Sequence, residues 1–154
     1  MKTFGETLMT LRLSLLLLAA LAGVLPGAKA HSQVLVIANP SVGTAEVSKA
    51  ELRDVFTGAS SSLPGTAQVT PVLLKQGPVN ADFLGLYVGK SDSAFRASWR
   101  SILFSGQGVL PKTLDTDAAV VEYVLHTPGA VGYIGRASPH DGVKTCLLYT
   151  SRCV

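Results

Sequence analysis

Long hydrophobic runs are scarce in this 154-residue chain, and the one that stands out lies at the N-terminus. It covers Leu13–Val24, mostly Leu and Ala, whereas a membrane-spanning helix needs about 20 apolar residues. Lys2 and Arg12 precede the run, and Pro26, Gly27 and Ala28-Lys29-Ala30 follow it. A positive segment, a short apolar stretch and small residues two apart describe a secretory signal peptide. Residues 1–30 are therefore expected to be cleaved after Ala30, leaving a periplasmic or secreted protein that begins at His31. Aromatic residues are also few, at 6% of the chain, and no basic run occurs. Without residues 1–30 the chain carries 10 basic and 9 acidic residues, a net charge of +1. That balance speaks against a nucleic-acid surface and against a polybasic membrane patch.

Cysteine is nearly absent. The two present, Cys146 and Cys153, stand at the extreme C-terminus. The stretch Cys146–Val154 resembles translated adapter DNA of the kind used in sequencing libraries. We expect it not to belong to the domain, which is bounded at 31–145, and no functional reading rests on either cysteine. The sequence signatures of common enzymes are missing as well: there is no G-x-S-x-G, S-x-x-K, H-E-x-x-H or G-x-x-x-x-G-K-[ST]. His31 has no histidine nearby in sequence with which to share a metal, and His126 suits a helix C-terminus, where a cation is favoured. Asp115 and Asp117 flank Thr116 at a helix start, which capping explains without a catalytic carboxylate pair. No catalytic residue, metal or cofactor is expected.

What remains is patterned. Val34-Leu35-Val36-Ile37 is a continuous apolar run, as in a strand covered on both faces. Asn39-Pro40-Ser41 turns the chain, and Ser41–Glu46 reads as a loop. Ser48 with Glu51 forms a capping box, Val47 and Leu52 a hydrophobic staple, and Leu52, Val55 and Phe56 an inward stripe that ends at Gly58. Val69–Leu74 predicts a second strand, with Pro71 marking either an edge or the strand's beginning. Asn80 is placed to cap a helix carrying Phe83, Leu84, Tyr87 and Val88 inward to Gly89. Ser91 or Asp92 starts another helix, with Phe95, Trp99, Ile102 and Leu103 facing inward. Thr116 and Asp117 open the last helix, with Val120, Val121, Val124 and Leu125 inward, and Thr127-Pro128-Gly129 stops it. Ala130–Ile134 and Val143–Leu148 predict two further strands. The alternation implies an α/β domain: a three-layer, open, mixed and mostly parallel sheet with helices on both faces.

Three segments in order, Val47–Gly58 (VSKAELRDVFTG), Ser98–Gly108 (SWRSILFSGQG) and Thr127–Tyr133 (TPGAVGY), resemble the phosphate-type substrate-binding proteins of ABC transporters. The resemblance covers nearly all of Gln33–Arg136 and is to the central lobe only of a periplasmic-binding-protein-like clamshell. It implies phosphate or another small oxyanion as ligand, and an inner-membrane ABC permease or another envelope protein as partner. The family's oxyanion turn resembles Arg-x-Asp-Gly-Ser-Gly-Thr. Laid on Lys75–Ala81, it puts Lys75 at the Arg position, Gly77 at the Asp position, and Val79 and Ala81 at the hydroxyl positions. Lys75 keeps the charge and loses the bidentate fork, and Pro78 removes a backbone donor.

Two readings follow. In one, a helix starting at Asn80 presents its N–H groups to an oxyanion, helped by Lys75 and by Ser41 and Thr44 from a neighbouring loop. Strong binding by one lobe is not expected, because a ligand buried on most of its surface needs an opposite wall. In the other, Asn80 is an ordinary cap, Lys75 a solvated charge and Ser41 a turn residue. The domain is then a ligand-free interaction or accessory module of a membrane complex. The eroded turn favours the second and the overall pattern favours neither; the expected function is the first, an exported solute-binding-protein-like domain, with the accessory module as the alternative. Gly129 and Gly132 are read as backbone requirements, one in a turn and one at a close approach in a strand.

Overall fold

The computed structural model describes residues 34–149. The proposed signal peptide lies outside them.

The described residues form seven strands and four helices. They are β1 (Val34–Ala38), β2 (Glu46–Ser48), α1 (Lys49–Thr57), β3 (Thr70–Leu74), α2 (Pro78–Phe83), α3 (Asp92–Phe104), β4 (Lys112–Leu114), α4 (Asp117–His126), β5 (Ala130–Gly135), β6 (Lys144–Thr145) and β7 (Leu147–Tyr149). A single π-helical stretch, Leu84–Val88, continues α2 to Gly89, whose φ of 74° closes it. Five strands form the main sheet in the order β4-β3-β5-β1-β6. β3 runs parallel to both β4 and β5, while β1 runs antiparallel to β5 and to β6. Four of the five strands therefore point one way and β1 points the other, a mixed, mostly parallel sheet. β2 and β7 pair in parallel as a separate ribbon.

Helices cover both faces. Successive residues of a strand face opposite sides. On β5 a Cβ at Gly132 would sit 2.9 Å from Val120 and 3.3 Å from Val124 of α4. The next residue, Tyr133, stacks on Phe83 of α2 with ring centroids 3.7 Å apart. Phe56 of α1 joins that second face edge-on to Phe83 at 4.8 Å. α3 is tied to α1 by the Trp99 indole N–H, which donates to the Phe56 carbonyl at 3.1 Å. The core is the buried set drawn from these elements, with Val36, Ile37, Val72, Val131 and Ile134 at its centre.

Local signals account for much of this. Ser48 accepts from the Glu51 N–H, and Glu51 reaches back to the Ser48 N–H at 2.7 Å, so the capping box forms. Gly58 is left-handed at φ 77°. Ser91 caps α3 and Thr116 caps α4 through their side chains.

Several expectations are corrected. Glu46–Ser48 and Lys112–Leu114 are strands that the sequence pattern does not show. Val143–Leu148 is not one strand: β6 ends at Thr145, Cys146 is buried, and β7 joins the other sheet. Pro71 marks the beginning of β3 but not an edge, since β3 lies between β4 and β5. Leu103 is 40% exposed, so the inward stripe of α3 stops before it. Asn80 does not cap α2. The helix begins at Pro78, with Gly77 at the cap position, because proline's fixed φ suits a first helical residue and its missing N–H costs nothing there.

Candidate functional site

The turn after β3 is held from below by backbone pairing: the Lys75 N–H donates to the Leu114 carbonyl at 2.8 Å. Gln76 and Gly77 then lead into α2. Asn80, at the third position of that helix, is 4% exposed and points its amide into a polar relay. The Tyr133 hydroxyl accepts from the Leu74 N–H at 3.3 Å and donates to Asn80 Oδ1 at 2.5 Å. Asn80 Nδ2 donates to Asp92 Oδ1 at 3.1 Å. The other Asp92 oxygen accepts from Gln76 Nε2 at 2.9 Å and from Arg96 Nε at 2.8 Å. The orientation of the Asn80 amide follows from Asp92: an ionised carboxylate only accepts, so Nδ2 must face it and Oδ1 is left to accept from the phenol.

The electrostatics agree with this order. Burial pushes the Tyr133 phenol well above its ordinary value, so it stays a donor. The Arg96 side chain, then Gln76 and Asn80, hold the Asp92 carboxyl below the ordinary carboxylate value, against the opposing effect of burial. Asp92 thus stays ionised and occupies the donors that face it.

Lys75 pairs with Asp115 at 2.8 Å, with the two side chains 67% and 74% exposed. Such a pair is worth little in water. Ser41 and Thr44 lie elsewhere. The Ser41 hydroxyl accepts from the Gly129 N–H at 2.9 Å, and its own N–H donates to Asn39 Oδ1 at 2.9 Å. Thr44 closes on its own loop, donating to the Glu46 carbonyl at 2.6 Å. Gly129 precedes β5, and its carbonyl accepts from the Thr70 N–H at the start of β3. Lys75 follows the end of β3. Because β1 runs antiparallel to β5, its following loop sits at the opposite end of the sheet from the Lys75–Ala81 turn. A five-residue strand, about 17 Å, separates them. The structure thus brings Lys75 and Asn80 to one rim, and Ser41 and Thr44 to the other.

Sequence reasoning passed over Gln76, Asp92, Arg96 and Tyr133. Asp92 and Arg96 carried a signal, opposite charges at i and i+4 on a helix. The others carried none. Asn39 was read only as a turn residue, yet its buried side chain donates to the carbonyls of Val124 and Leu125 at 2.8 and 2.9 Å, closing the C-terminal end of α4.

Beside Asp92 a cavity of about 280 Å³ opens between α3 and β4. Among the described residues no group of three or more His, Cys, Asp or Glu side chains is placed to hold a metal. Nor is any described helix long and apolar enough to cross a membrane.

No protein-family model matches the chain. No curated protein matches it in sequence. Solved structures do. The chain is similar to an ABC-type phosphate transport receptor from Vibrio cholerae, with 15% identity and a TM-score of 0.57 over 75% of this chain and 45% of that one. It is similar to a putative phosphate ABC transporter substrate-binding protein with bound phosphate from Clostridium perfringens, with 16% identity and a TM-score of 0.57 over 75% and 44%. PstS from Borrelia burgdorferi gives 12% identity and a TM-score of 0.58 over 75% and 46%. The chain spans less than half the length of these proteins, the first two of which are described as a transport receptor and a substrate-binding protein. At this identity the likeness is one of fold: the chain has the architecture of a single lobe of the phosphate-type substrate-binding proteins.

Proposed function

We propose that this protein is an exported, non-enzymatic accessory module of an envelope complex, built on a solute-binding lobe whose oxyanion turn is filled by its own side chains. The observation that carries the reading is the Asp92 carboxylate. It takes hydrogen bonds from Gln76, Asn80 and Arg96, the side-chain donors gathered at the start of α2. The remaining cation of the turn, Lys75, is paired with Asp115. An incoming oxyanion would meet a negative charge already seated there and would have to displace it. The end of α3 and the loop after it add support. Phe104 and Val109 are 90% and 87% exposed, apolar surface that water solvates poorly and that suits a protein partner. The partner class is an inner-membrane permease or another envelope protein.

Phosphate or oxyanion capture is the second reading, and the phosphate receptors of the same fold favour it. Calorimetric titration of the purified protein with inorganic phosphate separates the two. The accessory reading expects no binding heat at millimolar phosphate. A submillimolar affinity that Lys75→Ala abolishes would replace it with capture.

A further inference from the structure

We propose that the cleft between α3 and β4 is a binding site for a small carboxylate with an apolar body, anchored by Arg100. The cavity there, about 280 Å³, is at the small end of the range for small-molecule sites. Its walls include Leu73, Phe95, Trp99 and Leu110. Leu73, Phe95 and Trp99 are otherwise buried, so the faces they show to the cleft are the open end of the core. Leu110 is half-exposed across from them. An apolar group entering the cleft is removed from water by these side chains.

The charges that line the cleft are Asp92, Arg96 and Arg100. Asp92 and Arg96 neutralise each other at 2.8 Å. Arg100, one helical turn beyond Arg96, has no ion-pair partner among the described residues. The cleft therefore carries one uncompensated positive charge above an apolar floor. A guanidinium is permanently charged and offers a planar fork that matches a carboxylate. Thr113 on β4 adds a hydroxyl to the same cavity. A neutral apolar ligand would leave Arg100 without a counter-charge, and inorganic phosphate would leave the walls wet. A carboxylate on an aromatic or aliphatic body satisfies both. The cleft shares Asn80 and Asp92 with the relay at the Lys75–Ala81 turn, but its anchor, Arg100, takes no part in that relay, so Arg100→Gln tests this site and Lys75→Ala tests phosphate capture.

Trp99 lines the cleft and is the only tryptophan in the chain, so its fluorescence reports occupancy without a label. The probe is phenylacetate, with phenylacetamide as its neutral counterpart. We expect a saturable change in Trp99 emission with phenylacetate. Losing the charge-assisted bond, either in Arg100→Gln or with phenylacetamide, should weaken the affinity about tenfold. Arg100 is exposed, so the variant should fold normally, which an unchanged circular dichroism spectrum would verify. No saturable change at millimolar phenylacetate would overturn the proposal. So would equal affinity for the acid and the amide, or equal affinity in wild type and Arg100→Gln.

Discussion

The carboxylate of Asp92 accepts hydrogen bonds from a turn, from α2 and from its own helix, and its titration follows. Arg96 contributes most to holding its folded-state value below the ordinary 3.8. A carboxylate depressed in the folded state stabilises the fold fully above its ordinary value. That contribution is lost as pH falls through the lower folded-state value. Asp92→Asn should therefore lower the thermal midpoint at neutral pH by the equivalent of about 1 kcal/mol, a figure kept small because Arg96 is half-exposed. The gap between variant and wild type should close as the pH is taken well below 3.8. Melting curves by circular dichroism across that range check it, and a gap independent of pH would contradict the assigned charge. At this scale the sequence was partly legible. The Asp92–Arg96 pair obeys helical spacing. Gln76 and Asn80 lie 16 and 12 residues away from Asp92, and only the folding of α3 back across the turn brings them to it.

Elements with strong local punctuation were the most legible. The capping box and left-handed glycine of α1 are sequence-local, and they form as the residues require. Gly129 and Gly132 answer to backbone needs. Gly129 has φ 75°, and a Cβ there would lie 2.6 Å from the Gln68 carbonyl oxygen. Gly132 lets α4 lie close on β5. Gly132→Ala would drive a methyl to 2.9 Å from Val120 and 3.3 Å from Val124. We expect a loss of about 1–3 kcal/mol from this overpacking, measured by urea denaturation. The short strands were illegible for a different reason. β2 and β4 are three residues each, and the β6–β7 break falls at a single buried Cys146. Segments this short have no periodicity to read. They become strands because β7, β3 and β1 offer them partners.

Across the whole molecule, the direction of β1 decides the most. A loop after a parallel first strand would lie beside the Lys75–Ala81 turn. Because β1 is antiparallel to β5, Ser41 and Thr44 stand at the other rim. Ser41→Ala and Lys75→Ala should then behave independently, with stability effects that add to within about 0.5 kcal/mol in a double-mutant cycle. A larger coupling energy, read by chemical denaturation, would mean that the two rims communicate.

Local chemistry was enough to specify the α/β class, the caps of α1, α3 and α4, the core stripes apart from Leu103 and Leu125, and the glycine positions, because periodicity, caps and backbone permissiveness act within a few residues. The same chemistry accounts for the likeness to a phosphate-type lobe, since those patterns are what the fold requires. Which donors share a rim, and that a carboxylate of α3 already fills the turn, were decided only by the tertiary structure. Strand direction and hydrogen bonds between distant elements depend on how the whole chain closes its core, and no short stretch of residues encodes them.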